Sequence, residues 1–428
     1  MKSNTQNAKI ASITEKTLIV GIDVGSQVHY ARAFDWRNYE YSRKPFAFSN
    51  DEEGFMAFKN WMNDIAEKHD KEVVLPGMEP TGHYWFGLGM FLQDMGMRPV
   101  HVNPHHVKKS KELDDNNPNK NDRKDPKTIA ALVNEGRFSY PYIPTGIYAE
   151  IRNLSNLRFQ TQEQITRIKN RIARWFSIYF PEYKEVYGNL DALSGMMILK
   201  MAPLPMDIVK LGVDGVNKIW RDAKLRAVGL KRAKTLVNKA EHSIGSQEAP
   251  EAARVELQIL LSDYEMYNQR MDDLMQTIEE KLYEIPYIDK LLEIKGIGMI
   301  TICGFIAEVG DIRRFDNPKQ LQKLAGYAIV SNDSGKHNGE SHISYRGRKR
   351  LRYVLYEAAI SLIGKNTEFK EIHHYYRTRE RNPLKKMQSV IAVACKVIRI
   401  FYAILTKGVA YDGAKMIKDI KRPALATN

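Results

Sequence analysis

The sequence predicts an α/β domain followed by a mostly helical remainder. Three observations carry that reading. Short β-type runs alternate with helical patterns over residues 1–146. Two long amphipathic segments begin at Ile147 and Pro250. From Tyr287 onward, glycine turns, apolar helices and a basic cluster take over. A chain of 428 residues has room for two or three domains and a core without covalent staples.

The N-terminal elements follow in order. Residues 1–16 are polar and read as a disordered lead. Thr17–Val24 reads as a first strand, an apolar run that ends in Asp23. Val28–Phe34 reads as a second strand beyond the turn Gly25-Ser26-Gln27, and Pro45–Phe48 as a short third. Asn50 or Asp51 caps a helix with Phe55, Phe58, Trp61, Met62 and Ile65 at helical spacing. Val73–Leu75 is a fourth strand, Gly82–Met95 a helix, Arg98–Val102 a fifth strand and Pro104–Lys111 a short helix. Leu113–Lys124 reads as a loop. Asp125-Pro126 then opens a helix to about Asn134, because an Asp cap before a Pro is a strong start signal. Three strands, a helix, then alternating strand and helix is the order of a ribonuclease-H-like domain.

The middle of the chain predicts an arm. Ile151, Leu154, Leu157, Ile165, Ile168 and Ile172 form one stripe near heptad spacing. Val255, Ile259, Tyr264, Met271, Leu274, Ile278 and Leu282 form a second. An antiparallel coiled coil over residues 147–286 accommodates both, with residues 181–249 inserted between them. The basic run Arg221 to Lys239 reads equally as a solvated helix face or a nucleic-acid contact.

In the third region, 287–428, Ile294-Lys295-Gly296-Ile297-Gly298 precedes an apolar helix, Met299–Val309. Such a turn resembles a helix-hairpin-helix element, whose backbone N–H groups around Gly296 and Gly298 meet a phosphate. An ordinary glycine turn is the competing reading.

Bulk charge points the same way. Lys and Arg total 65 against 51 acids, a net charge of +14. Nucleic acid is the commonest partner of such an excess. No apolar run reaches the roughly 18 residues of a membrane span. The two cysteines, Cys303 and Cys395, make no disulfide framework. A cytoplasmic protein without a membrane partner is expected.

Four acids and one serine stand out. Asp23 closes a buried strand, where an unpaired carboxylate costs several kcal/mol. Glu79 lies between a strand and a helix, where open α/β sheets place ligands. Asp122 and Asp125 are three apart and share a face on a helical turn. Together the four provide hard oxygen donors for a divalent cation such as Mg²⁺, and two such ions serve phosphoryl transfer. Downstream, Ser334-Gly335-Lys336 precedes Arg346, Arg348, Lys349, Arg350 and Arg352. A serine facing arginines is suited to attack a phosphodiester, and the cations to hold the developing charge. A turn serine beside a solvated basic helix is the plainer alternative.

Gly21-Ile22-Asp23-Val24-Gly25, Glu79-Pro80-Thr81-Gly82-His83-Tyr84-Trp85 and Lys120-Asn121-Asp122-Arg123-Lys124-Asp125 resemble the DEDD transposases of bacterial insertion sequences. These are relatives of the pilin-gene invertase, described as bridge-RNA-guided serine recombinases. Ile294-Lys295-Gly296-Ile297-Gly298, Arg314-Phe315, Ser334-Gly335 and Ile343-Ser344-Tyr345-Arg346-Gly347-Arg348-Lys349-Arg350-Leu351-Arg352 resemble that family's C-terminal domain.

The resemblance implies a RuvC-like domain over 1–146, a coiled-coil arm over 147–286 and a serine transposase domain over 287–428. It implies that Asp23, Glu79, Asp122 and Asp125 hold Mg²⁺, two ions per site, and that Ser334 forms a covalent link to DNA. Lys336 and the basic cluster would bind nucleic acid. The implied partners are donor and target DNA, a structured guide RNA and other copies of the chain, as dimer and active tetramer. The chain departs from the family pattern at Pro126, at Tyr327-Ala328-Ile329 and at Asp333, and Ser331 is a rival nucleophile. A metal-dependent junction nuclease without a serine intermediate is the alternative function.

Overall fold

The computed structural model describes residues 6–42, 44–80, 82–114, 125–188, 192–330, 333–334, 337–338, 342–418 and 420. The chain divides into two compact units, Met1–Ile143 and Pro144–Asn428.

In the first unit the elements are α1 (Gln6–Ala11), β1 (Thr17–Asp23), β2 (Val28–Phe34), β3 (Phe46–Ser49), α2 (Glu52–Lys68), β4 (Val73–Met78), α3 (Trp85–Asp94), β5 (Val100–Val102), α4 (Pro104–Asp114), α5 (Asp125–Asn134) and β6 (Phe138–Ser139). The six strands form one sheet in the order β3-β2-β1-β4-β5-β6. β1, β2 and β3 pair antiparallel, β1 pairs parallel with β4, β4 with β5, and β6 returns antiparallel.

β1 is central and buried on both faces, which is why it reads as an apolar run rather than an alternation. Its two faces still differ. Leu18, Val20 and Ile22 join Phe48, Phe58 and Leu88 in one core, whereas Ile19 joins Val100, Ile129 and Val133 in another. Helix α5 therefore covers the Ile19 face. Helix α2 starts as expected, with the Asp51 carboxylate accepting from Gly54 N at 2.8 Å.

Several expectations are corrected. The lead is not wholly irregular: Gln6 and Lys9 of α1 bond the carbonyls of Glu135 and Phe138, a tertiary contact that local composition does not reveal. β4 runs on through Pro76 to Met78, and α3 starts only at Trp85, after Gly82 takes a φ of +56°. α4 extends to Asp114, into the stretch expected as a loop at 113–124; residues 115–124 lie outside the described ones.

The second unit opens with α6 (Ile147–Tyr179), followed by α7 (Tyr183–Val186), α8 (Leu193–Met201), α9 (Pro205–Asp222), α10 (Leu230–Glu241) and α11 (Pro250–Tyr283). α6 and α11 have 33 and 34 residues and run antiparallel. Ile151, near the start of α6, shares a core with Leu274, Ile278 and Leu282, near the end of α11. At the opposite end of the pair, Trp175 Nε1 donates to the Ala253 carbonyl at 2.9 Å. Helices α7–α10 pack around the end that holds Trp175 and Ala253.

The stripes differ from those expected. On α11, Val255 and Ile259 are 54% and 53% exposed, and Ala253, Leu257, Leu260 and Leu261 face the core. Leu157 of α6 also points outward, at 50% exposure.

The rest comprises α12 (Ile288–Leu292), α13 (Met299–Val309), α14 (Pro318–Leu324), β7 (Ile329–Val330), β8 (Asp333–Ser334), β9 (His337–Asn338), β10 (His342–Ile343), α15 (Lys349–Lys365), α16 (Thr367–Thr378), α17 (Lys386–Lys407) and α18 (Gly413–Ile417). Here the absence of an apolar run long enough for a membrane needs correction. α17 meets the length and composition of a span despite Lys396 and Arg399, but half of that window is buried within the protein. Val393, Val397, Phe401 and Ile404 make it the central helix of the C-terminal core.

Candidate active site

Two glycines explain how α5 reaches the sheet. Gly21 of β1 faces Gly77 of β4 across the parallel pair. A Cβ on Gly21 would lie 1.9 Å from the Pro126 carbonyl oxygen, and one on Gly77 would lie 2.4 Å from Val133 Cγ2. Neither contact is tolerable, so α5 seats on bare backbone. The Gly21 contact sets the first turn of α5, and with it Asp125, against β1 near its C-terminal end, while Gly77 receives Val133 further along the helix.

Strand alternation places Asp23 on the same face as Ile19 and Gly21, the face that α5 covers. The β1–β4 register runs to Ile22 opposite Met78, so Glu79 follows Met78 as Asp23 follows Ile22. Adjacent strands are about 4.8 Å apart. Asp23, Glu79 and Asp125 thus come to one edge of the sheet, and all three are half-buried. Asp122 lies outside the described residues. Among the described residues, no three His, Cys, Asp or Glu side chains close into a metal-binding group. The donor chemistry, oxygen only, fits a hard divalent cation.

His29 is a site feature that sequence reading missed. It is fully buried between Phe48 and Phe55, with ring centroids 5.1 and 6.0 Å away. Its Nδ1 accepts the Gly25 N–H at 3.2 Å, which steadies the turn directly after Asp23. Burial lowers its pKa, keeping the acceptor nitrogen unprotonated. Only a histidine at an inward strand position hints at this in the sequence.

The other predicted residues lie in the second unit. Ser334 is in β8 and pairs with His337 of β9; residues 335–336 lie outside the described ones. Asn338 of β9 pairs with Asp333. Ser331 and Lys336 lie outside the described residues. Arg348 donates to the Glu308 carbonyl at 2.9 Å, and the Glu308 carboxylate lies 3.3 Å away, tying α15 to α13. Arg352 bonds the carbonyls of Ala325 and Tyr345 at 3.0 and 3.2 Å. Arg350 bonds Asn156 Oδ1 and lies over the Phe159 ring. Arg346 and Lys349 are exposed. Gly296, at φ +104°, packs against Leu362 and Ser361 of α15, whereas Gly298 caps α13 in open space.

Comparison with known proteins finds transposases. A DEDD transposase model of the IS110 type matches residues 20–181, and the transposase IS116/IS110/IS902 family model matches residues 288–376. The transposase for insertion sequence element IS1111A of Coxiella burnetii is 23% identical over 92% of this chain and 91% of its own. The insertion element IS116 uncharacterized 44.8 kDa protein of Streptomyces clavuligerus is 23% identical over 67% of this chain and 71% of its own. The pilin gene-inverting protein of Moraxella lacunata is 30% identical over 30% of this chain and 40% of its own. The molecule is thus a transposase, an enzyme of DNA recombination. The chain belongs to the IS116/IS110/IS902 transposase family.

Proposed function

We propose that the protein is an RNA-guided DNA recombinase that moves its own insertion element. What supports this reading is the strand register that puts Asp23 and Glu79 just past the paired ends of β1 and β4, with the first turn of α5, which Asp125 opens, against Gly21. On this reading the first unit is RuvC-like, residues 147–286 are a coiled-coil arm, and residues 287–428 carry the nucleophile. Asp23, Glu79 and Asp125, joined by Asp122, would hold two Mg²⁺ ions. Bound there, the cations would neutralise phosphate charge and orient the scissile group.

The chain's own residues perform the rest. Ser334 Oγ attacks phosphorus, a serine–phosphate bond forms, and one P–O bond of the DNA breaks. The released DNA hydroxyl carries the proton that the serine gave up. A hydroxyl of the partner strand then attacks the phosphoserine and restores the serine, so bond energy is conserved without a nucleotide cofactor. Arg346 and Lys349 supply cations beside that chemistry. A structured RNA would pair with donor and target DNA, and two dimers would assemble so that each site draws on two subunits.

A suicide DNA substrate tests the central step. Wild type should yield a protein–DNA adduct on a denaturing gel, Ser334→Ala none, and Asp23→Asn at least 100-fold less. Nicking by wild type without an adduct overturns the serine role in favour of water attack. Purification from the native host should bring down one abundant RNA encoded beside the gene; recombination unaffected by its removal refutes guidance.

A further inference from the structure

We infer that Tyr345 is a stacking platform for an unpaired nucleobase, with Arg346 and Lys349 holding the phosphodiester that carries it. The inference deepens the recombinase reading and rests on it. Tyr345 has a φ of +53°, a region that bulky residues rarely occupy. The residue is nonetheless 62% exposed, so no core packing rewards the strain.

The backbone around it is locked in place. A Cβ on Gly347 would lie 2.4 Å from the Leu324 carbonyl oxygen and 2.5 Å from Gly326 N, so two chain segments cross there in direct contact. Tyr345 N donates to the Gly326 carbonyl at 3.2 Å, and Ser344 N to that of Ala328 at 2.8 Å. Arg352 bonds the Tyr345 carbonyl, and its guanidinium lies 5.4 Å from the ring centroid. The ring is thus backed by a cation and displayed to solvent. Arg346 adjoins it, and Lys349 opens α15.

Tyr287 provides an internal contrast. It too has a positive φ, +68°, but its ring packs against Gly408, where an added Cβ would lie 2.7 Å away. Part of that ring packs against Gly408 and Lys290 lies over it, leaving Tyr287 41% exposed against 62% for Tyr345. An exposed aromatic flanked by cations takes a base on its face and phosphate on its rim, without reading sequence.

Tyr345→Gly separates this role from a structural one. Glycine is at ease at positive φ, so the variant should keep or raise the thermal midpoint while losing the ring. The probes are full-length protein with fluorescein-labelled oligo(dT), oligo(U) and a mixed-sequence DNA duplex. Tyr345→Gly should bind single strands about 10- to 100-fold more weakly and duplex within about twofold, and Tyr345→Phe should match wild type. Loss confined to oligo(dT) assigns the base to DNA, and loss confined to oligo(U) to RNA. Wild-type affinity of Tyr345→Gly for single strands, or an equal loss on duplex, overturns the platform. Failure of wild type to bind any of the three probes overturns the recombinase reading as well.

Discussion

At the scale of single residues, the strongest constraint falls on atoms that are missing. Gly21 lacks a side chain because the Pro126 carbonyl occupies that space. Gly21→Ala should therefore destabilise the first unit by about 1–3 kcal/mol, the usual cost of overpacking. Recombination should fall further than that figure implies, because α5 carries Asp125; urea unfolding and adduct yield on one preparation check both. The sequence showed Asp23 as a charge out of place, but not the reason for Gly21, whose partner lies 105 residues on (126 − 21). His101 gives a pH dependence. Burial pushes its pKa down to about 4, and its ring stands edge-on to Trp85 at 4.2 Å. Above the ordinary value of 6.5 both folded and unfolded forms are neutral, and no stability is lost. As pH falls from 6.5 towards 4, only the unfolded chain takes up the proton, so the fold weakens. With allowance for partial solvent screening, the loss is on the order of 2 kcal/mol. His101→Phe should narrow the gap between the urea unfolding free energies at neutral pH and at about pH 4.5 by about that amount.

Among elements, the long helices show where periodicity misleads. Val255 and Ile259 sit four apart, as core residues do, yet they line a shallow surface groove with Arg171 and Ala252. Leu257 and Leu261, also four apart, are the ones that face the core. Apolar residues occupy two sides of this helix, so hydrophobicity alone does not choose between them; the choice is made by α6 and α8, which pack on one side. Leu257→Ala should cost about 2–5 kcal/mol. Val255→Lys with Ile259→Lys should stay within about 1 kcal/mol of wild type, as exposed changes do. Thermal melts of the three proteins distinguish the assignments. Arg348 and Arg352 carry the same lesson for charge. A basic cluster is visible in sequence, but only the structure separates these two, bonded to carbonyls of the domain itself, from the exposed Arg346 and Lys349.

For the whole molecule, the excess of 14 positive charges sets how it meets DNA. Contacts to phosphate release counterions, so affinity falls steeply with salt. If about 6–10 phosphates are engaged, binding to a duplex should weaken by about 10³ to 10⁵ between roughly 50 and 200 mM salt. A slope near zero in a titration would show that the surplus charge is mere solubility. The order from β1 to α5 in the first unit was legible because each element carries its own turn signals and period, whereas α1 and the two-residue β6 carry none. How the second unit folds was less so, since its C-terminal core closes around α17, whose composition resembles a membrane span.

The glycine seat under α5 has one more consequence. Side chains that separate a helix from a sheet act as springs, because rotamers change and gaps breathe. Here the first turn of α5 meets β1 through the Pro126 carbonyl and the bare backbone of Gly21, and at that point the spacing has no compliant layer. The start of α5, and with it Asp125, is therefore held against β1 as a gauge block is held. Change at this edge must come as paired exchange of seat and helix together, or not at all.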